Sequence, residues 1–129
     1  KAIIICPSNP YVSIAPILEL PGVRQQLVER RSPLVAVSPI VGGQAIKGPA
    51  AKMMRELGVT PSCEAVSEYY GGLLDGLVID NSDAAESASI TKDGPRVMLT
   101  STIMNTLADK IGLAESVLEF AGDLDVLGT

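Results

Sequence analysis

The segment Ser38-Pro39-Ile40-Val41-Gly42-Gly43-Gln44-Ala45-Ile46-Lys47-Gly48-Pro49 comes nearest to phosphate chemistry. Gly42, Gly43 and Gly48 let backbone approach a ligand closely, and Lys47 adds a mobile positive charge. It is no Walker loop, since no Ser or Thr follows the lysine and Pro49 has no amide to donate, and it is no dinucleotide fingerprint. A phosphate cradle and a plain strand-to-helix connection both fit it. A second segment, Cys6-Pro7-Ser8-Asn9-Pro10-Tyr11-Val12-Ser13, sets two prolines around Ser8 and Asn9. Their fixed φ makes a stiff turn that presents a hydroxyl and an amide. Ser13 suits an N-cap, with Pro16 early in the following helix, and a helix start offers free amides to an anion. A turn and cap with no ligand is the alternative.

Asp80-Asn81-Ser82-Asp83 carries two carboxylates three residues apart, able to hold Mg²⁺ or orient a hydroxyl nucleophile. The same residue types cap helices. Thr100-Ser101-Thr102 adds hydroxyls, with Thr102 also suited to a cap. Histidine is absent, which excludes an imidazole base or His metal ligand within these residues. Cys6 and Cys63 fit neither a paired redox motif nor a zinc spacing and read as small core or helix residues. A metal would then sit on carboxylates and phosphate oxygens, as Mg²⁺ does.

Net charge is −5, which disfavours nucleic acid as a partner. Its distribution is uneven. Up to Gly58 seven Lys/Arg face three Asp/Glu, giving +4, and from Val59 onward three face twelve, giving −9. The cationic half holds both loops, where a phosphorylated ligand would be drawn, although uneven surface charge alone explains the pattern equally well.

These loops need elements to hold them. Hydrophobic residues make up 47% of the chain and aromatics only 3%, so the core must be aliphatic. Four continuous apolar runs, Ala2–Cys6, Leu34–Val37, Leu77–Ile79 and Val97–Leu99, read as strands buried on both faces of a parallel sheet. Between them lie helical segments: Ile14–Arg31, broken near Pro21-Gly22; Pro49–Leu57, ending at Gly58; one from Thr60-Pro61 to Gly71-Gly72; a polar one from Ser82; and one from Thr102 to Ala121, with a break suggested at Gly112. This order predicts an α/β fold, an open, mostly parallel sheet with helices on both faces and right-handed crossovers. Ligands in such sheets bind beyond the carboxyl ends of the strands, where all four loops are polar. No apolar run reaches membrane-spanning length and no signal-peptide pattern stands at the start, so a cytoplasmic protein is the expectation. The chain opens directly into an apolar run, which reads as the inside of a buried strand, so residues 1–129 are expected to be a sub-region of a larger domain whose partner lies upstream.

Taken together, Pro7-Ser8-Asn9-Pro10 with Ser13-Ile14, and Val37-Ser38-Pro39-Ile40-Val41-Gly42-Gly43 with Ile46-Lys47-Gly48-Pro49-Ala50, resemble the 2-phospho-L-lactate transferase family. Lys52-Met53-Met54, Tyr69-Tyr70, Asp75 through Asp80 with Asp83, and Thr102-Ile103-Met104 with Asp109-Lys110 are similar to it as well. The resemblance spans nearly the whole chain but only the C-terminal part of the family's sequence, the N-terminal part being missing. It implies transfer of a 2-phospho-L-lactyl or phosphoenolpyruvyl group from a guanosine-diphosphate-activated donor to a deazaflavin, with release of GMP, in coenzyme F-420 biosynthesis. It implies Mg²⁺, held by acidic residues upstream, and a homodimer. On this resemblance Ser8, Asn9, Ser13, Ser38, Gly42, Gly43, Lys47 and Gly48 bind guanosine or diphosphate, while Asp80 and Asp83 line the pocket. The alternative is a non-catalytic relative of the same fold that binds a nucleotide sugar. Those relatives differ at the first loop, where Ser8-Asn9-Pro10 follows the transferase form.

Overall fold

Two of the aliphatic runs form the centre of a four-stranded parallel sheet in a computed structural model that describes residues 1–45 and 48–124. Its strands are β1 (Ile3–Ile5), β2 (Leu34–Val37), β5 (Gly76–Asp80) and β6 (Arg96–Thr100), in the spatial order β1-β2-β5-β6. Central β2 and β5 are buried at every position, as continuous hydrophobicity requires. The flanking strands depart from that expectation: β1 is half-buried throughout, and β6 exposes Arg96 and Leu99 because it lies at the other edge.

Side chains alternate between two cores. Leu34, Ala36, Leu77 and Ile79 face helices α1 (Ala15–Leu18), α2 (Val23–Val28), α3 (Ala50–Glu56), α4 (Cys63–Tyr70) and α5 (Ser87–Asp93), through Leu18, Leu27, Met54, Val66, Tyr70 and Ile90. Val35, Val37 and Val78 face the single helix α6 (Leu107–Gly122) through Leu113, Val117 and Phe120. The strands follow one another in one direction, so right-handed crossovers put α1 to α5 on one face, and only the last helix reaches the other. Close packing there demands Gly76, since a Cβ at that position would stand 2.6 Å from Phe120 Cε2.

Several local expectations change. The segment 38–49 is not a plain connection: Ile40–Val41 (β3) and Gln44–Ala45 (β4) pair antiparallel, turned by Gly42 and Gly43 at φ 58° and 78°. Two successive positive φ values make the primed turn that suits a two-residue hairpin, and glycine adopts it without strain. Thr102 caps nothing, because α6 starts later, where the Thr106 hydroxyl accepts from Asp109 N–H and the Asp109 carboxylate returns a bond to Thr106 N–H. Gly112 does not interrupt α6. The break at Pro21-Gly22 is real, with Gly22 at φ 82° between α1 and α2. Cys6 is exposed just past β1, while Cys63 is buried at the start of α4. At the amino ends of the strands, Arg30 reaches Asp75 at 2.6 Å, both side chains almost fully buried. The same Asp75 oxygen accepts from Leu34 N–H at 2.7 Å. No described helix is long and apolar enough to cross a membrane.

Candidate functional site

Beyond the carboxyl end of β1 the chain is held rigid by its own side chains. Asn9 Oδ1 accepts from Tyr11 N–H at 3.0 Å and Asn9 O accepts from Ser13 N–H at 2.9 Å, at the start of a wide π-type turn over Pro10–Ile14 that Ala15 N–H closes on Pro10 O. Asn9 is therefore the cap and Ser13, an exposed residue inside the turn, is not. The reason is positional: Pro10 has no N–H to cap and a preset φ, so the acceptor one residue before it begins the turn. Tyr69 locks the turn from α4, donating its hydroxyl to Pro10 O at 3.3 Å and meeting Tyr11 edge-on at 4.9 Å. Asn9 Nδ2 points toward Met53 Sδ at 3.3 Å.

At the carboxyl ends of β5 and β6, Asp80 is a hub. Oδ1 accepts from Thr102 N–H at 2.9 Å and its hydroxyl at 3.2 Å, while Oδ2 accepts from Ser82 N–H at 3.0 Å and its hydroxyl at 2.8 Å. Burial alone would push this carboxyl up, but the bonds from Thr102 and Ser82 outweigh it and hold Asp80 below the ordinary carboxylate range. Asp80 thus caps the short 3-10 turn at Asn81–Glu86, as one reading of the sequence had it. It also fixes Thr102, which is 1% exposed.

A cavity of about 160 Å³ opens where these pieces meet. Ser8, Asn9, Thr102 and Lys110 supply its polar wall, and Pro7, Pro39 and Met104 the apolar one. No carboxylate lines it among the described residues, and no salt bridge engages Lys110 there. Hydroxyl, amide and ammonium donors with no acceptor charge among them form an environment for an anion. A roomier cleft of about 410 Å³ between α4 and α5 is lined instead by Glu64, Glu68 and Asp93 and repels anions.

The other site residues gather elsewhere. Ser38 is 1% exposed, and its hydroxyl meets Ile40 N–H and O at 3.2 and 3.3 Å. Gly42 gives its N–H to both oxygens of Asp83, at 3.1 and 3.2 Å, so that amide is committed within the protein. Gly43 completes the hairpin, Gly48 is exposed at φ 76°, and Lys47 lies outside the described residues. Asp83 is 7% exposed and faces Cys63, not the cavity that Asp80 supports.

Cys63, Asp83 and Glu86 bring one ligand atom each to within 4.8 Å of one another, a possible metal site that linear spacing gave no sign of. Burial pushes the Cys63 thiol up to about 12, and nearby Asp83 and Glu86 add to the rise. The thiol sits 3.3 Å from Ile40 O and 3.7 Å from Asp83 Oδ2, with Glu86 Oε1 accepting from Glu64 N–H at 3.0 Å. As it stands this is a protonated, internally bonded group. Lys110 escaped the sequence reading as a site residue, since it enters from α6 and not from a strand-end loop. Its signal was the capping pair Thr106 and Asp109, which puts residue 110 in the first turn of a helix that starts at the carboxyl ends.

Residues 1–117 match the family model described as 2-phospho-L-lactate transferase CofD. The chain is 46% identical over 123 residues to the 2-phospho-L-lactate transferase of Methanocaldococcus jannaschii, covering 95% of this chain and 38% of that protein. It is 41% identical over 118 residues to the Methanococcus maripaludis C7 protein of the same name, and 40% over 116 to that of Methanosarcina acetivorans. Each match covers about nine-tenths of this chain and 37% of the relative, so the chain spans little more than a third of the length of these curated relatives. With its parallel α/β core and its matched residues, the chain belongs to the 2-phospho-L-lactate transferase CofD family.

Proposed function

We propose that these residues form one wall of the active site of an enzyme that moves a 2-phospho-L-lactyl or phosphoenolpyruvyl group. The donor is guanosine-diphosphate-activated and the acceptor a deazaflavin hydroxyl, in coenzyme F-420 biosynthesis. The acceptor oxygen bonds to the nearer phosphorus, the bond from that phosphorus to the bridging oxygen breaks, and GMP leaves. The hydroxyl proton passes to a base. Charge on the phosphoryl oxygens must be met by fixed donors, which is where catalysis of such transfers resides.

The observation that carries this reading is the acid-free cavity at the strand ends, with Ser8, Asn9 and Lys110 as donors and Thr102, whose own protons go to Asp80, as part of the wall. Its polar wall is preorganised, since Asn9 is fixed by Tyr11 and Thr102 by Asp80. About 160 Å³ fits a phosphoryl group with a small acid attached, not a whole nucleotide. Lys47, Gly43 and Gly48 belong to this reading as residues of the neighbouring connection.

Mg²⁺ would neutralise the diphosphate. The group Cys63, Asp83 and Glu86 does not fit it, because Mg²⁺ demands hard oxygens and this thiol stays protonated at neutral pH, with Asp83 already holding the Gly42 amide. Asp80 likewise spends both oxygens on four donors. No step here is routed through a metal on these residues.

The test incubates the full-length protein with the deazaflavin and either guanylylated donor, beside Lys110→Met and Asn9→Ala. Wild type should form product, and each variant should lose about 10- to 100-fold in kcat/KM, the worth of a charge-assisted bond. Absence of product with both donors rejects the reaction. Product at unchanged rate in both variants rejects these residues as the phosphate wall.

A further inference from the structure

Cys63, Asp83 and Glu86 come from two elements that meet only in the fold. Cys63 opens α4, and the two carboxylates stand three residues apart in the 3-10 turn Asn81–Glu86 that follows β5. That spacing is about one turn of such a helix, which brings both side chains to the side where α4 packs. One ligand atom from each of the three lies within 4.8 Å of the others. None of them lines the anion cavity, and among the described residues none joins a salt bridge.

Charge is the first argument. Asp83 is 7% exposed and Glu86 half-buried, so two carboxylates sit together away from most of the solvent. Their donors are neutral: Gly42 N–H and the Cys63 thiol for Asp83, and Glu64 N–H for Glu86. A carboxylate has about four lone-pair sites, so both keep acceptor capacity. Buried carboxylates left without a cation are costly. The surroundings add to the cost, since Glu64 and Glu68 line the cleft beside α4.

The sulfur decides which cation answers that charge. Mg²⁺ is excluded by the thiol, whereas Zn²⁺ and Cd²⁺ take thiolate and carboxylate together. Zn–S bonds of about 2.3 Å and Zn–O bonds of about 2.0–2.2 Å, at the tetrahedral angle, set sulfur and oxygen ~3.5–3.7 Å apart. Cys63 Sγ and Asp83 Oδ2 are 3.7 Å apart. Glu86 is less buried than either and is both third ligand and route from solvent. We propose that Cys63, Asp83 and Glu86 form a site for one thiophilic divalent cation of the Zn²⁺ class, with water as the fourth ligand.

On binding, the Cys63 S–H bond breaks, its proton passes to bulk water, and a metal–sulfur bond forms with no change of oxidation state. Burial pushes the free thiol up, and Asp83 and Glu86 add to the rise; a cation between them reverses those two contributions. The ion ties α4 to the turn after β5 and, through Asp83 and Gly42, to the β3–β4 hairpin. Because it joins residues that only the folded chain brings together, it stabilises that chain. The site stands apart from the reaction proposed above.

The test uses the full-length polypeptide that carries these residues, stripped by chelation and kept in excess Mg²⁺ to fill hard-oxygen sites. Cys6→Ser removes the exposed thiol of this region. Cd²⁺ titration is followed by the ultraviolet charge-transfer band of the cadmium–thiolate bond, and Zn²⁺ by displacement of Cd²⁺ and by thermal unfolding. The Cys6→Ser protein should show the band and a rise in Tm with Zn²⁺, and adding Cys63→Ser should remove both. Glu86→Gln, which still accepts from Glu64 N–H, should weaken binding at least tenfold. No band in folded Cys6→Ser protein overturns the proposal. So does a band of equal strength after Cys63→Ser, or an unchanged affinity in Glu86→Gln. If Cys63→Ser does not fold, Glu86→Gln alone decides. Binding needs no turnover, so a protein that takes Cd²⁺ but makes no product rejects the reaction and leaves this site standing.

Discussion

Replacing Asp80 with Asn keeps the shape of the side chain and removes half of what it does. Each oxygen of Asp80 receives one backbone N–H and one hydroxyl, from Thr102 at one and Ser82 at the other. An Asn amide must turn its NH₂ toward one of those pairs. The hydroxyl can rotate to accept, but the backbone N–H cannot, so one charge-assisted bond becomes a donor facing a donor. Asp80 is 9% exposed, so water does little to relieve it, and the loss should be about 2 to 3 kcal/mol. The folded carboxyl is held below its ordinary value of 3.8, so Asp80 binds a proton more weakly folded than unfolded. Its contribution is therefore complete above 3.8 and is lost as pH falls through the lower folded value. Urea unfolding of wild type and Asp80→Asn should show the full gap at pH 7 and a shrinking one below pH 3.8. Because Thr102 lines the anion cavity, the variant should also bind the donor less tightly without touching it. A gap under about 0.5 kcal/mol at pH 7, or one that does not change with pH, would refute the assignment of Asp80 as a charged hub.

Gly76→Ala should destabilise by about 1 to 3 kcal/mol through the 2.6 Å approach to Phe120, and Phe120→Leu in the same chain should recover part of it in a double-mutant cycle read by denaturant unfolding. Arg30→Met leaves Asp75 buried without its cation, an expected loss of about 3 to 5 kcal/mol that thermal unfolding will register. The buried Cys63 thiol ionises far less readily folded than unfolded. Stability relative to Cys63→Ala should therefore fall as pH rises from 9.0 toward about 12, and urea midpoints across that range would show it.

The strands were legible because burial on both faces leaves only aliphatic residues, as at Leu34–Val37. Helix α6 was legible in kind but not in onset: Thr102 and Thr106 are both competent caps, and only the return bond from Asp109 marks the second. Paired glycines at 42 and 43 between apolar residues were a hairpin signal, overshadowed by the nearby lysine. The engagement of Gly42 by Asp83 was not legible at all, since 41 residues separate them and the contact exists only once β5 lies beside β2. The same holds for Lys110, which reaches the first loop only through the placement of α6 on the opposite face.

Strand β5 carries its own alignment marks. A one-residue slip would swap its two faces, but a slip of two would exchange one aliphatic residue for another and cost little in burial alone. Three residues forbid it. Asp75, just before the strand, is matched to Arg30 and Leu34 N–H; Asp80, at its end, is matched to Thr102; and Gly76 is the one position without a side chain under Phe120. Moved by two, Val78 would stand under that ring and both carboxylates would lose their donors. The polar ends of a greasy strand thus act as a vernier, and a chain that mispairs while folding is returned to the only alignment in which ring, gap and charges coincide.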